Sequence, residues 1–186
     1  KVWNAWKYQL LTDLYHSTLL CLEAGGEPKT RAGIFDEHRK QACELIAQTG
    51  MTDDVRDAFW KELNIVYFLR HSPQDIAWHT VELAGCSHSL IPVVKCRPRR
   101  KGNVCKVLVY THDQKDLFAR VVAFFEREGL SILDARIHTT VHGWALDTFL
   151  VQDKRGRDVK ALQAGIEKNL ATVIESAKPL PEPKKG

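Results

Sequence analysis

The sequence predicts an α+β protein: a helical N-terminal segment over residues 1–85, then an antiparallel sheet packed by two helices in the order ββαββα. Three observations carry this. Apolar residues recur at spacings of three and four through the first 85 residues. From Ser89 the pattern turns extended and β-branched, as Leu90-Ile91-Pro92-Val93-Val94-Lys95-Cys96. Val104 to Asp153 then reads strand, loop, helix, strand, turn, strand: VCKVLVYT, HDQKD, LFARVVAFFEREG and LSILDARIHTTVHGWALDTFLVQD.

Residues 2–24 form the first predicted helix, with Trp3, Trp6, Leu10, Leu14 and Leu20 near one face. Gly25-Gly26 stops it, since glycine takes the left-handed cap conformation freely. Glu27-Pro28-Lys29-Thr30 breaks the pattern, and a second helix is expected over about Ile34 to Gln48. Thr52-Asp53-Asp54 offers N-cap side chains for a third helix carrying Val55, Phe59, Trp60, Leu63, Val66, Tyr67 and Leu69. That helix ends near His71, because Pro73 disfavours helix in the residue before it. Ser72-Pro73-Gln74-Asp75 restarts one: serine caps, proline takes the first position, and an acid sits near the positive end. The fourth helix runs through Ile76, Trp78, Val81 and Leu83 to Gly85.

A hairpin is expected between 90–97 and 104–111. After the loop, a helix groups Leu117, Val121, Phe124 and Phe125, with Phe118 and Val122 widening the face, and Gly129 ends it. In the next strand Leu133, Ala135, Ile137 and Thr139 alternate with Asp134, Arg136, His138 and Thr140. One face is apolar and one polar, the pattern of a sheet packed by helices on one side. A turn at His142-Gly143 leads into the last strand. A final helix over about 158–176 places Val159, Leu162, Ile166, Leu170 and Val173 at helical spacing. A ferredoxin-like βαββαβ unit needs a strand after that helix. None appears, so residues 90–97 are expected to occupy that edge, antiparallel to 104–111. Pro179 to Gly186 reads as a disordered linker by composition.

Composition narrows the function classes. The chain is 44% apolar and 27% charged, ordinary for a soluble globular protein, and no apolar run is long enough to cross a bilayer. KVWNAWKYQLL lacks the parts of a signal peptide. With no initiator Met and a start inside a helical pattern, the chain is expected to be a fragment of something longer. Its five cysteines are widely spaced with no CxxC, which argues against a disulfide framework or zinc site and for a reducing, cytoplasmic location. The net charge of +4 is local: Lys95, Arg97, Arg99, Arg100 and Lys101 lie within seven residues, and without them 22 basic groups face 23 acidic ones. That cluster sits in a turn and lacks interleaved aromatics, so nucleic-acid binding is not expected.

No GxGxxG, P-loop, HExxH or GxSxG occurs. His112-Asp113 is an adjacent pair of metal-ligating types, but a metal phosphohydrolase needs further His and Asp at the same point, and a solvated loop is the plainer reading. The stretch Thr111 to Asp116 leads into a helix start, where unpaired N–H groups suit the carboxylate of a small ligand. The competing reading needs no ligand: Asp116 caps the helix and Asp113 adds charge near its positive end. The eight histidines show no pair at metal-site spacing with a supporting acid and read as surface or packed residues.

The block LVYTHDQKDLFARVVAFFEREGLSILDARIHTTVHGWALDTFLVQD resembles the first ACT domain of the bifunctional uridylyltransferase/uridylyl-removing enzymes of bacterial nitrogen regulation. DARIHTT followed by G-x-ALDTF-x-VQD is specific to that family rather than to ACT domains at large. WNAWK and YFLRHSPQDIAWHT resemble its region between hydrolase and first ACT domain, so the resemblance covers nearly the whole chain apart from the tail. It implies a parent with a nucleotidyltransferase domain, an HD-type hydrolase domain and two ACT domains. Such enzymes add UMP to the PII protein when glutamine is low and remove it when glutamine is high, using Mg2+ or Mn2+.

On that reading residues 1–85 are the end of the hydrolase domain plus a helical connector, 90–176 an ACT-like regulatory domain, and 177–186 a linker. No catalytic or metal residue, and no cofactor, is expected in this segment. The resemblance places an effector surface at Thr111, His112, Asp113, Asp116, Leu117 and Phe118, with Asp134, Ala135, Arg136 and Ile137 of the adjoining strand. L-glutamine is the implied effector, PII the parent's substrate, and a second ACT domain the implied partner. One departure matters. Many ACT domains carry glycine where Asp116 stands, and a carboxylate there repels a ligand carboxylate and restricts the backbone. The alternative is a pairing module with no ligand of its own, docking a partner through a sheet face bearing Arg136 and His138.

Overall fold

The computed structural model describes residues 30–86, 89–99, 103–157 and 159–176. The predicted helix at 2–24, the basic residues Arg100 and Lys101, and the tail from Pro179 lie outside the described residues. The chain divides into two compact units, Lys1–Glu37 and His38–Gly186. Thr30 opens helix α1 (Arg31–Ala47) by accepting the Gly33 N–H on its hydroxyl at 3.1 Å. The helix begins before the predicted Ile34 because Thr30 acts as a cap, not as part of the breaker.

In the second unit the predicted third helix is two. Helix α2 (Asp53–Trp60) and helix α3 (Ile65–Arg70) are separated by a turn, and Asn64 starts the second by accepting the Tyr67 N–H at 3.2 Å. An Asx cap inside the apolar run thus overrides its helical period. Thr52 stands at the α2 N-cap, but its side chain makes no cap bond. Helix α4 (Pro73–Leu83) follows the predicted start: Ser72 accepts the Asp75 N–H at 3.2 Å and Pro73 opens the first turn.

The sheet has strands β1 (Val93–Pro98), β2 (Val104–His112), β3 (Leu130–Arg136) and β4 (Trp144–Asp153), ordered β1-β2-β4-β3 with every neighbouring pair antiparallel. Helix α5 (Leu117–Arg127) joins β2 to β3, and helix α6 (Val159–Glu175) follows β4. The observed order ββαββα puts β1 where a ferredoxin-like unit has its last strand. The first strand starts later than expected. Leu90, 98% exposed, and Ile91 lie outside it, and Pro92 has no N–H to contribute to a ladder. The turn at His142-Gly143 is present, with Gly143 at φ 76°.

One face of the sheet meets α5 and α6. Val107 and Val109 of β2 and Phe149 and Val151 of β4 pack there with Val121 and Phe125 of α5 and Ile166 and Leu170 of α6. Phe149 lies edge-on to Phe125, ring centres 5.3 Å apart. The other face is also covered, contrary to the one-sided reading. Leu108, Tyr110 and Leu146 are buried there, and α3 and α4 lie over it, tied by Asp75 to Lys106 and by His79 to Thr148. The sheet is a middle layer with helices on both sides. The face bearing His138 is therefore occupied by the chain itself.

A bulge corrects the β3 pattern. Ile132 pairs with Val151 and Ala135 with Phe149, but the register shifts between Ile132 and Asp134. The extra residue resets the alternation: Ile132 and Ala135 pack against the core, while Leu133 is 51% exposed and Ile137 42% exposed.

Candidate functional site

The β2–α5 loop is pinned at its β2 end. Thr111 is buried, and Asp113 donates its N–H to the Gly143 carbonyl at 3.0 Å, closing the loop onto the β3–β4 turn. His112 is exposed. Its Nδ1 bonds the Asp113 carbonyl at 2.8 Å, and its ring stands edge-on to Trp144. Neither group of the pair is brought to a cluster: among the described residues no three His, Cys, Asp or Glu are arranged to hold a metal ion.

Asp116 sits at the α5 N-cap with φ 62° and ψ 14°, the left-handed region, and its side chain makes no cap bond. The capping reading therefore fails at Asp116. The residue instead takes the backbone conformation that glycine takes most easily, and Asp is among the few others that tolerate it. The first turn of α5 is left without a side-chain cap. Leu117 faces the core, while Phe118 is half exposed and stacks on Phe149 at 6.1 Å.

The expected surface is only partly contiguous. Thr111 and Thr139 flank Ala145 on either side, which brings the end of the β3 connection to the loop. Asp134 and Ala135, by contrast, pair with Leu150 and Phe149 in the middle of the sheet, well away from Thr111. Ala135 packs inward, Asp134 pairs with Arg136 at 3.2 Å, and Arg136 also donates to the Arg70 carbonyl across the seam with α3. The structure groups Thr111 to Asp116 and places Asp134 and Arg136 apart from them, while Phe118 and Ala135 both neighbour Phe149.

Asp147, which the sequence reading passed over, lies beside the loop. It is 2% exposed on the α5 side of β4, opposite Val109, and accepts the His138 N–H at 3.3 Å. Burial pushes its carboxyl up to about 6; the His138 bond opposes this and the nearby Asp113 charge adds to it. Its signal was present in the strand WALDTFLV, where an acid occupies an inward position of the alternation.

On the outer face lies a second polar group. Tyr67 Oη bonds His79 Nδ1 at 2.8 Å, and His79 Nε2 meets Thr148 Oγ1 at 3.3 Å. His71 Nδ1 bonds the Tyr67 carbonyl at 2.9 Å. Asp75 takes Lys106 and Arg97, and Glu82 takes Lys95 at 3.1 Å. Arg97 also lies over the Trp78 ring at 4.5 Å. Two members of the basic cluster are thus engaged within the chain.

Residues 30–82, the stretch containing α1 to α4, match the family described as uridylyltransferase GlnD fifth domain. Curated relatives match nearly the whole chain. A bifunctional uridylyltransferase/uridylyl-removing enzyme of Bordetella avium (strain 197N) is 46% identical over 178 residues, covering 95% of the chain and 20% of the relative. That of Burkholderia vietnamiensis (strain G4 / LMG 22486) is 43% identical over 190 residues, covering 100% of the chain and 22% of the relative. The chain belongs to this enzyme family, as a segment of it. It spans about a fifth of the length of the curated relatives it matches. The family match and the sheet meet at α4: helices assigned to the fifth domain lie directly on the ACT-like sheet through Asp75 and His79.

Proposed function

We propose that this chain is a regulatory, non-catalytic segment of a bifunctional enzyme that uridylylates and deuridylylates the PII nitrogen-regulatory protein, and that its ACT-like domain couples glutamine level to those activities. The boundaries proposed are the end of an HD-type hydrolase domain plus a connector through residue 85, and a regulatory domain over 90–176. The observation that carries the reading is the double role of β2. Its end supplies the loop Thr111 to Asp116, and its Lys106 is bonded to Asp75 of α4. A ligand at the loop and the helical segment therefore act on one strand. Such a ligand biases the enzyme only by binding one arrangement more tightly than another.

L-glutamine is the proposed effector, PII the proposed substrate of the whole protein, a second ACT domain the proposed partner, and the cytoplasm the proposed location. Mg2+ or Mn2+ is assigned to the catalytic parts of the whole protein rather than to this segment. No helix among the described residues is long and apolar enough to cross a membrane. The test is a calorimetric titration of the chain with L-glutamine, repeated on Thr111→Val. Saturable heat that the substitution abolishes supports sensing.

Asp116 favours a second reading, a pairing module with no ligand of its own, because its carboxylate stands at the helix start that a ligand carboxylate would use. A silent titration, both for the chain and for a longer protein carrying two ACT copies, supports that reading instead.

A further inference from the structure

The seam between α3–α4 and the outer face of the sheet holds three buried imidazoles around one phenol. Tyr67 is fully buried, with ring centres 4.4 Å from His71, 5.2 Å from His138 and 6.1 Å from His79. His71 and His79 come from the helical side, and His138 from the connection between β3 and β4. Exposure is 2% for His71, 0% for His79 and 9% for His138.

Neutral rings suit this seam. With the Tyr67 carbonyl accepting from His71 Nδ1, the remaining Nε2 of His71 carries the lone pair. That Nε2 and the Nε2 of His138 are both buried and find no hydrogen-bond partner among the described residues. A proton added at His71 Nε2 creates a buried cation with an unmet donor, and a charged His138 is enclosed in the same way.

The groups facing them add to the cost. Arg70 of α3 and Arg136 of β3 flank His71 and His138. Lys106 of β2 and Arg97 of β1 face His79; Asp75 favours the charged form of His71 and His79 but is paired with those two cations, and Glu82 of the same helix is paired with Lys95. The Asp147 carboxylate reaches His138 through its backbone N–H.

We infer that the helix–sheet seam is an acid-sensitive latch: protonation of His71 or His138 releases α3 and α4 from the sheet, while α5 and α6 stay on the opposite face. Burial lowers the proton affinity of all three imidazoles, to about 4 for His71, in the same sense. Asp147 works the other way, since acid neutralises a carboxylate that burial disfavours, so release on acidification does not come from it.

Amide hydrogen exchange on the whole chain tests the latch at pH 7.5 and pH 5, with rates corrected for the intrinsic pH dependence. The α3–α4 amides are expected to lose at least about tenfold in protection at pH 5, while α5 and α6 stay within about twofold. His71→Asn with His138→Gln keeps polar, non-titrating side chains and is expected to shrink the difference by at least about tenfold, leaving the part that buried His79 contributes. Unchanged α3–α4 protection in the native chain, or an equal loss in the double variant, overturns the inference. Should the double variant not fold, ring proton shifts of His71 and His138 in the native chain decide. Titration coincident with α3–α4 release supports the latch. Titration of both rings without release overturns it.

Discussion

Asp75 of α4 grips Lys106 of β2 with both carboxylate oxygens, at 2.7 and 2.6 Å from Nζ, and both side chains are shielded from water. Burial pushes the Asp75 carboxyl up, but the Lys106 hydrogen bond and charge outweigh it and hold the group below its ordinary range. Removing one partner leaves the other charge buried. Asp75→Ala is expected to cost on the order of 3–5 kcal/mol, whereas Asp75→Leu with Lys106→Met is expected to be close to neutral. Urea denaturation of the native chain and the two variants checks this, and a double variant as unstable as the single one would assign the effect to packing.

Asp147 gives a pH dependence of defined sign. Its folded-state affinity for protons exceeds that of the unfolded chain, so its ionisation opposes folding. Stability from this group is full below the ordinary carboxyl value of 3.8 and is lost as pH rises through about 6. Asp147→Asn retains an acceptor for the His138 N–H. It is expected to stabilise the chain at pH 7 by on the order of 2 kcal/mol and by little at pH 4. Thermal melts of both proteins across that range measure the difference.

Asp116 holds a left-handed backbone that glycine adopts without steric cost. Asp116→Gly is expected to raise stability by up to about 1 kcal/mol, and Asp116→Val to lower it by more than that. If the loop binds a carboxylate ligand, removing this negative charge also tightens L-glutamine binding. Melting temperature reads the first effect and calorimetry the second.

The bulge in β3 decides which of two adjacent apolar residues matters. Ile132 packs against the core and Leu133 is turned outward. Ile132→Ala is expected to cost about 1–3 kcal/mol and Leu133→Ala less than about 0.5 kcal/mol. Equal costs would restore an uninterrupted alternation.

The sheet was legible because its rules are local. VCKVLVYT and WALDTFLVQD carry the strand signal, Gly129 and Gly143 mark the stops, and the missing last strand pointed to residues 90–97. Two features were not legible because they depend on partners distant in sequence. Helix α4 has polar residues, Asp75, His79 and Glu82, where a solvated face is the default, and only β2, β4 and β1 make them an interface. The β3 bulge leaves no glycine or proline behind, so Leu133 reads as inward until its pairing with β4 is known. At the loop, the glycine-like position of Asp116 was visible by resemblance, but its backbone conformation was not.

The effector claim meets its most direct test in calorimetric titration of the chain with L-glutamine at neutral pH. Saturable heat that disappears in Thr111→Val is the predicted result. No heat from the chain or from a protein bearing both ACT copies would contradict it.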